Sequence, residues 1–167
     1  MEGPIRRILV YIDGTEESVT AFQYAVCLAK GTGARLYALY VINTRALSDL
    51  VKARIFLDSE QDEYRHDLET DADRYLKHAS KLASRKGVEL RTESRSGTVH
   101  QEIKKMVEEL DADILVIGEL SHIRSRRDEF YNETERAMRL VPCSVLMVKN
   151  EERVWDLYDE IPNSYGE

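Results

Sequence analysis

The stretch from Asp111 to Lys149, DADILVIGELSHIRSRRDEFYNETERAMRLVPCSVLMVK, decides how the rest of the chain is read. Asp113 to Ile117 is a short apolar run with a charged lead-in, and it stops at Gly118, where glycine lets the chain turn sharply. A polar, arginine-rich segment follows from Glu119 to Asp128. The spacing then predicts a helix from about Asn132 to Leu140, ended by Pro142, and Cys143 to Val148 is a second apolar run. Two apolar runs of strand length with a helix between them are the pattern of a crossover between parallel strands. In sheets built from such units, ligands sit beyond the carboxyl ends of the strands. The segment after Gly118 is therefore the first candidate for function.

Outward from that unit the same alternation continues. Ile8 to Ile12 is a continuous apolar run, which suits a strand buried on both faces. Asp13-Gly14-Thr15 ends it, and Thr15 or Asp13 is placed to cap a helix whose first turn carries Glu16 and Glu17. That helix extends to about Lys30, with Val19, Phe22, Ala25, Val26 and Ala29 as its apolar stripe, and Gly31-Thr32-Gly33 closes it. Arg35 to Ile42 reads as a second strand. Asn43 to Phe56 has no strong pattern and is the candidate linker. A long amphipathic helix spans about Leu57 to Lys86 and stops at Gly87; Val88 to Thr92 reads as a short edge strand; Gly97-Thr98 opens a helix with Val99, Ile103, Met106, Val107 and Leu110 on its apolar face. Five strands alternating with four helices predict an α/β fold with a parallel sheet and right-handed crossovers. If the strand order is 3-2-1-4-5, Asp13 and Gly118 flank the crevice at the switch point.

The bulk properties narrow the classes. The chain has 167 residues, enough for one domain with its own core, and is 43% hydrophobic and 33% charged, as in ordinary globular proteins. With 24 basic and 31 acidic side chains the net charge is −7, which argues against nucleic-acid binding through phosphate neutralisation. No apolar run approaches the roughly 20 residues of a membrane helix. The basic N-terminus before Ile8 resembles a short signal peptide, but Asp13-Gly14 interrupts the apolar run early, so a first strand and a cytoplasmic protein are expected. Cys27 and Cys143 lie far apart inside apolar patterns and read as buried, reduced thiols.

Catalytic and metal motifs fail on inspection. Gly31-Thr32-Gly33 follows a helix and precedes a strand, the reverse of a dinucleotide-binding turn. No Walker A lysine motif is present. Ser121 and His122 with Asp13 lack the G-x-S-x-G elbow of a hydrolase, and His66, His78, His100 and His122 show no metal-ligand spacing with one another. No metal and no catalytic residue is expected.

Three blocks of the chain resemble a known family. Ile8 to Ser18, ILVYIDGTEES, resembles the opening "ILVPVDGSEES" of the universal stress proteins; Ala112 to Gly118, ADILVIG, resembles their fourth strand "ADLIVMG"; Val141 to Val148, VPCSVLMV, resembles their last, "APCPVLVV". Their order and spacing match over about residues 5 to 149. The resemblance implies a doubly wound five-stranded fold of the adenine nucleotide alpha hydrolase type, in order 3-2-1-4-5 with helices on both faces. It places the domain at 1–149 and leaves a tail at 150–167, where Val154, Leu157, Tyr158 and Ile161 predict a short helix. Trp155 in that tail is expected to pack on its own domain, with docking on a second subunit as the alternative.

The family further implies a homodimer paired through the last strand, here Ser144, Val145, Leu146, Met147 and Val148, and in many members ATP bound through Gly-x2-Gly-x9-Gly-(Ser/Thr) after strand four. Carried over by position, the first glycine is Gly118, the second falls on Ser121, the third on Tyr131 and the Ser/Thr on Asn132. Tyr131 is the costly departure, because glycine there would let bare N–H groups approach phosphate. Tyr11 replaces the family's proline at the expected adenine edge. Asp13 is retained, Val41 takes the adenine-contacting position, and Asn132 keeps a capping side chain. Arg124, with Arg126 and Arg127, is placed to meet phosphate, or else to pair with Asp128 and Glu129 in a solvated loop. The sequence thus predicts a non-enzymatic stress-response or regulatory dimer that does not bind ATP in the family's usual way and acts through a protein partner or another ligand. The alternative is an adenine-nucleotide (ATP or AMP) regulator, with ATP and magnesium as cofactor, using Asp13, Val41, Gly118, Ser121, Asn132 and Arg124. A nucleotide-activating enzyme ranks last, because Asp13-Gly14-Thr15-Glu16 stands where that group has its Ser- and Gly-rich loop.

Overall fold

The computed structural model describes residues 3–53, 58–120 and 129–164; for residues 46, 58 and 129–132 it describes the helical backbone alone. A five-stranded parallel sheet forms in the order β3-β2-β1-β4-β5. Its strands are β1 (Arg7–Ile12), β2 (Arg35–Asn43), β3 (Leu90–Gly97), β4 (Ile114–Gly118) and β5 (Ser144–Val148). The helices are α1 (Glu16–Thr32), α2 (Thr44–Lys52), α3 (Asp58–Arg85), α4 (Val99–Leu110), α5 (Glu129–Leu140) and α6 (Glu151–Glu160). This is the doubly wound α/β architecture expected from the strand–helix alternation.

β1 is the central strand. It runs in register with β2 from Arg7↔Arg35 to Ile12↔Tyr40, and with β4 from Ile8↔Ile114 to Val10↔Val116. Its side chains alternate between two cores. Ile8, Val10 and Ile12 pack with Phe22 and Val26 of α1 and Leu76 and Leu82 of α3, while Leu9 and Tyr11 pack with Leu39 and Val41 of β2, Ile103 and Val107 of α4 and Ala137 of α5. Fully burying each such side chain contributes about 1.5–3 kcal/mol.

Between β1 and β2, α1 is capped as its flanking residues dictate. Thr15 Oγ1 accepts the Ser18 N–H at 3.1 Å, and at the other end Gly33 takes a left-handed conformation and donates its N–H to Ala29 O. Gly118 closes the space between α1 and β4. It is not among the positive-φ residues, so a left-handed conformation is not what requires glycine there. What requires glycine is proximity: a Cβ there would lie 2.6 Å from the Glu17 carbonyl carbon and 2.8 Å from the Ser18 nitrogen.

Three local expectations need correction. The patternless Asn43–Phe56 linker contains α2, where Leu47 is fully buried; one turn of apolar spacing was too short to read, and residues 54–57 lie outside the described residues. β3 continues to Gly97 rather than stopping at Thr92, since it pairs with β2 as far as Asn43↔Gly97. Its polar SRSG end is tolerable because the strand is an edge. α5 begins at Glu129, three residues before the expected start.

Cys27 and Cys143 are free thiols, each partly buried and raised by that burial above the usual range. In the tail, α6 packs Val154 and Tyr158 into the core and leaves Trp155 46% exposed. The tail also closes the end of α3. The Tyr158 hydroxyl donates to Leu82 O at 2.7 Å, and Ser164 donates through its N–H to Arg85 O and through its hydroxyl to Ser84 O, each at 2.8 Å. Lys86 Nζ donates to Ile161 O and Asn163 Oδ1 while lying 4.6 Å above the Tyr158 ring.

Two outcomes follow from this packing. Gly118→Ala is expected to lower stability by about 1–3 kcal/mol, because backbone rather than a flexible side chain must move. A denaturant midpoint unchanged from the parent would show that α1 yields there. Tyr158→Phe is expected to cost about 1 kcal/mol through the lost hydrogen bond to Leu82 O. Trp155→Ala on the same helix is the control; equal losses in the two variants would mean that the hydroxyl contributes nothing specific.

Candidate functional site

The crevice lies at the carboxyl ends of β1 and β4, on either side of which the crossovers run to opposite faces. Asp13 follows β1 and is engaged by its own neighbours: Oδ1 accepts the Thr15 N–H at 2.9 Å and the Thr15 hydroxyl at 2.6 Å. The Asp13 N–H donates to Ser18 Oγ, and the Ser18 hydroxyl in turn donates to Thr15 O. Ser18 is buried and also meets Gly118. The first turn of α1 thus joins Asp13 to Gly118. Between them Gly14 has φ +87°, and a Cβ there would lie 2.8 Å from the Tyr75 ring.

On one face of the crevice, the α3 side, Tyr40 stacks on Tyr75 with ring centroids 5.9 Å apart, and the Arg74 guanidinium lies 5.1 Å from the Tyr75 centroid. Burial, followed by the charges of Asp71, Tyr75, Asp13 and Tyr64, pushes the Tyr40 phenol up to about 12. On the opposite face, Tyr11 and Val41 are both buried in the core beneath α4. The Tyr11 phenol is held well above its usual range by burial first, then by Asp13, Tyr40 and Glu133.

Glu133 was not singled out in the sequence. It lies in α5 with only 5% of its surface exposed. Its Oε2 accepts the backbone N–H of His100 at 3.0 Å and meets His100 Nδ1 at 2.7 Å, and Arg136 Nη1 lies 3.3 Å from Oε1. Desolvation pushes the carboxyl up, but the His100 N–H, the His100 ring and the charges of His100 and Arg136 together hold it below its usual range. His100 is in the first turn of α4, whose N-cap residue Thr98 makes no side-chain capping bond. Glu133 therefore caps α4 from α5. A signal was present in the sequence: Glu133 precedes Ala137 by one helical turn and Val141 by two, so a carboxylate stands in the apolar stripe of α5.

Of the six candidate residues, Asp13, Val41 and Gly118 lie at or near the carboxyl ends of β1, β2 and β4. Asn132 lies in the first turn of α5, where only the backbone is described. Ser121 and Arg124, with Arg126 and Arg127, lie outside the described residues, and so does the side chain of Tyr131. Among the described residues no group of three or more His, Cys, Asp or Glu side chains could hold a metal ion, and no helix is long and apolar enough to cross a membrane.

Comparison with known proteins gives this geometry a family. Universal stress protein MJ0531 of Methanocaldococcus jannaschii is 28% identical over 153 residues, covering 91% of this chain and 86% of that protein. A solved universal stress protein in complex with cAMP superposes with a TM-score of 0.65 at 15% identity, over 88% of this chain and 99% of that one. The universal stress protein of Archaeoglobus fulgidus in complex with dAMP gives 0.60 at 14%, over 87% and 98%. At such identities the likeness is one of fold. The model of the universal stress protein family itself matches residues 4–149, from before β1 to the end of β5, and the chain belongs to that family.

Proposed function

We propose that this universal stress protein is a non-enzymatic stress-response or regulatory dimer of the cytoplasm whose strand-end crevice does not take ATP in the family's usual way. The observation that carries the reading is the buried, ionised Glu133 in α5, one residue after the position of the family's Ser/Thr. A carboxylate there repels phosphate, and it accompanies the replacement of two motif glycines by Ser121 and Tyr131. Tyr11 and Val41 support the same conclusion on the adenine side, since both are already buried by the chain's own packing. Asp13, the residue retained from the family pattern, is committed to Thr15.

A second reading is an adenine-nucleotide regulator. It is favoured by the two neighbours of like fold whose structures contain cAMP and dAMP, ligands with a single phosphate. Such a ligand would use Asp13, Val41 and Gly118 on the nucleoside side, and Ser121, Asn132 and Arg124 toward phosphate, with no requirement for a magnesium-bound triphosphate.

The proposed dimer pairs through β5. That strand is hydrogen-bonded to β4 on one side and forms an edge of the sheet among the described residues; Val145, Leu146 and Met147 are partly buried in the monomer. An open apolar edge of this kind favours pairing with a second chain.

Calorimetric titration with ATP and magnesium is expected to show no saturable binding below about 1 mM. A micromolar dissociation constant would overturn the leading reading, and binding of AMP or cAMP alone would establish the second. Light scattering at micromolar protein is expected to give twice the chain mass. A monomer would remove β5 pairing from the proposal.

A further inference from the structure

Glu133 makes contacts that an outside anion would otherwise make. Helix N-termini present unpaired N–H groups and a partial positive charge, and they bind anions when nothing in the chain satisfies them. α4 lacks a side-chain cap of its own at Thr98. Its first turn instead directs the His100 N–H and the His100 ring to Glu133 Oε2, with Arg136 beside the other oxygen. A backbone N–H, an imidazole and a guanidinium around one oxyanion are the donor set of a phosphate site. The pair is buried, the His100 and Glu133 side chains being 13% and 7% exposed. Val99 at the start of α4 and Ala137 of α5 pack in the same core cluster as Tyr11 of β1, which places the pair on the α4–α5 side of the crevice.

We infer that Glu133 determines the charge of ligand this crevice admits: its carboxylate occupies, from within the chain, the anion position formed by the His100 N–H, the His100 imidazole and Arg136, and so excludes polyphosphate. The inference rests on the reading of the crevice given under Proposed function, and it identifies the residue responsible. Glu133 acts as a positioning and specificity residue. The ligands it leaves room for are neutral or cationic, whereas removing its charge opens the same donors to phosphate.

The test uses the full chain as the parent, Glu133→Ser and Glu133→Ala, with inorganic pyrophosphate as the probe, because it carries charge without a nucleobase. Calorimetry is expected to show pyrophosphate binding at least about tenfold tighter in Glu133→Ala than in the parent. Inorganic phosphate should raise the melting temperature of Glu133→Ala more than that of the parent at matched ionic strength in sodium chloride. An element that merely staples α4 to α5 would lose stability on substitution without gaining this anion response. Equal responses in parent and variants would overturn the inference. If Glu133→Ala does not fold, Glu133→Ser decides the matter, since its shorter side chain vacates the anion position while staying polar; it too must bind pyrophosphate more tightly than the parent. Adding His100→Ala must abolish the gain, and a gain that survives overturns the assigned position. Micromolar ATP binding by the parent would defeat the functional reading alone, whereas the comparison of parent and variants with pyrophosphate decides the role of Glu133.

Discussion

The fold depends on the burial of β1 on both faces while it is hydrogen-bonded along both edges. Ile8, Val10 and Ile12 need one layer of helices; Leu9 and Tyr11 need another. Parallel neighbours can be reached only by crossovers, and right-handed crossovers leaving toward β2 and toward β4 must lie on opposite faces. A gap between diverging crossovers then opens where β1 ends. The crevice at Asp13 is a consequence of satisfying the central strand, and it would exist whether or not a ligand used it.

This origin changes how the retained family residues are weighed. Asp13 holds Thr15 and, through the Asp13 N–H, Ser18; Gly118 allows β4 to approach the backbone of Glu17 and Ser18. Both serve the first turn of α1, and that service accounts for their presence without any nucleotide. Retention of Asp13 and Gly118 therefore identifies the scaffold, and the buried side chains of Tyr11 and Glu133 say more about what the scaffold can hold.

The parallel sheet with a helix layer on each face was legible in the sequence because burial on two faces leaves continuous apolar runs, as in Ile8 to Ile12 and Asp113 to Ile117, whereas the strand order came from the family resemblance. The capping of α1 by Thr15 was legible for a similar reason, since the bonds involved span three residues. What escaped depends on distant partners. β3 is extended to Gly97 by β2, not by its own polar residues, and α2 is held by Leu47, a single buried anchor. Gly118 was marked for its freedom to turn, and its approach to Glu17 and Ser18 escaped notice because contact with a helix so distant in the chain leaves no local pattern. Glu133 was missed because its partner His100 lies 33 residues away, and a lone acid on a helix reads as exposed until the packing shows otherwise.

Glu133 and the tail do the same physical work at different helix ends. An α-helix leaves N–H groups unpaired at its start and carbonyls unpaired at its finish, and burying either without a partner is costly. α4 begins without a side-chain cap from Thr98, so the acceptor comes from α5. α3 ends at Arg85 with the Leu82, Ser84 and Arg85 carbonyls receiving donors from Tyr158 and Ser164 in the tail. The carboxylate also carries a pH dependence on the acid side of neutrality. Because its folded pKa is depressed, its stabilisation is full above the ordinary glutamate value and is lost as pH falls through the lower folded one. At neutral pH, then, both helix ends are satisfied from elsewhere in the chain. The anion position at the start of α4 is closed for the same reason that the end of α3 is: folding has already supplied the group that a ligand or solvent would otherwise provide.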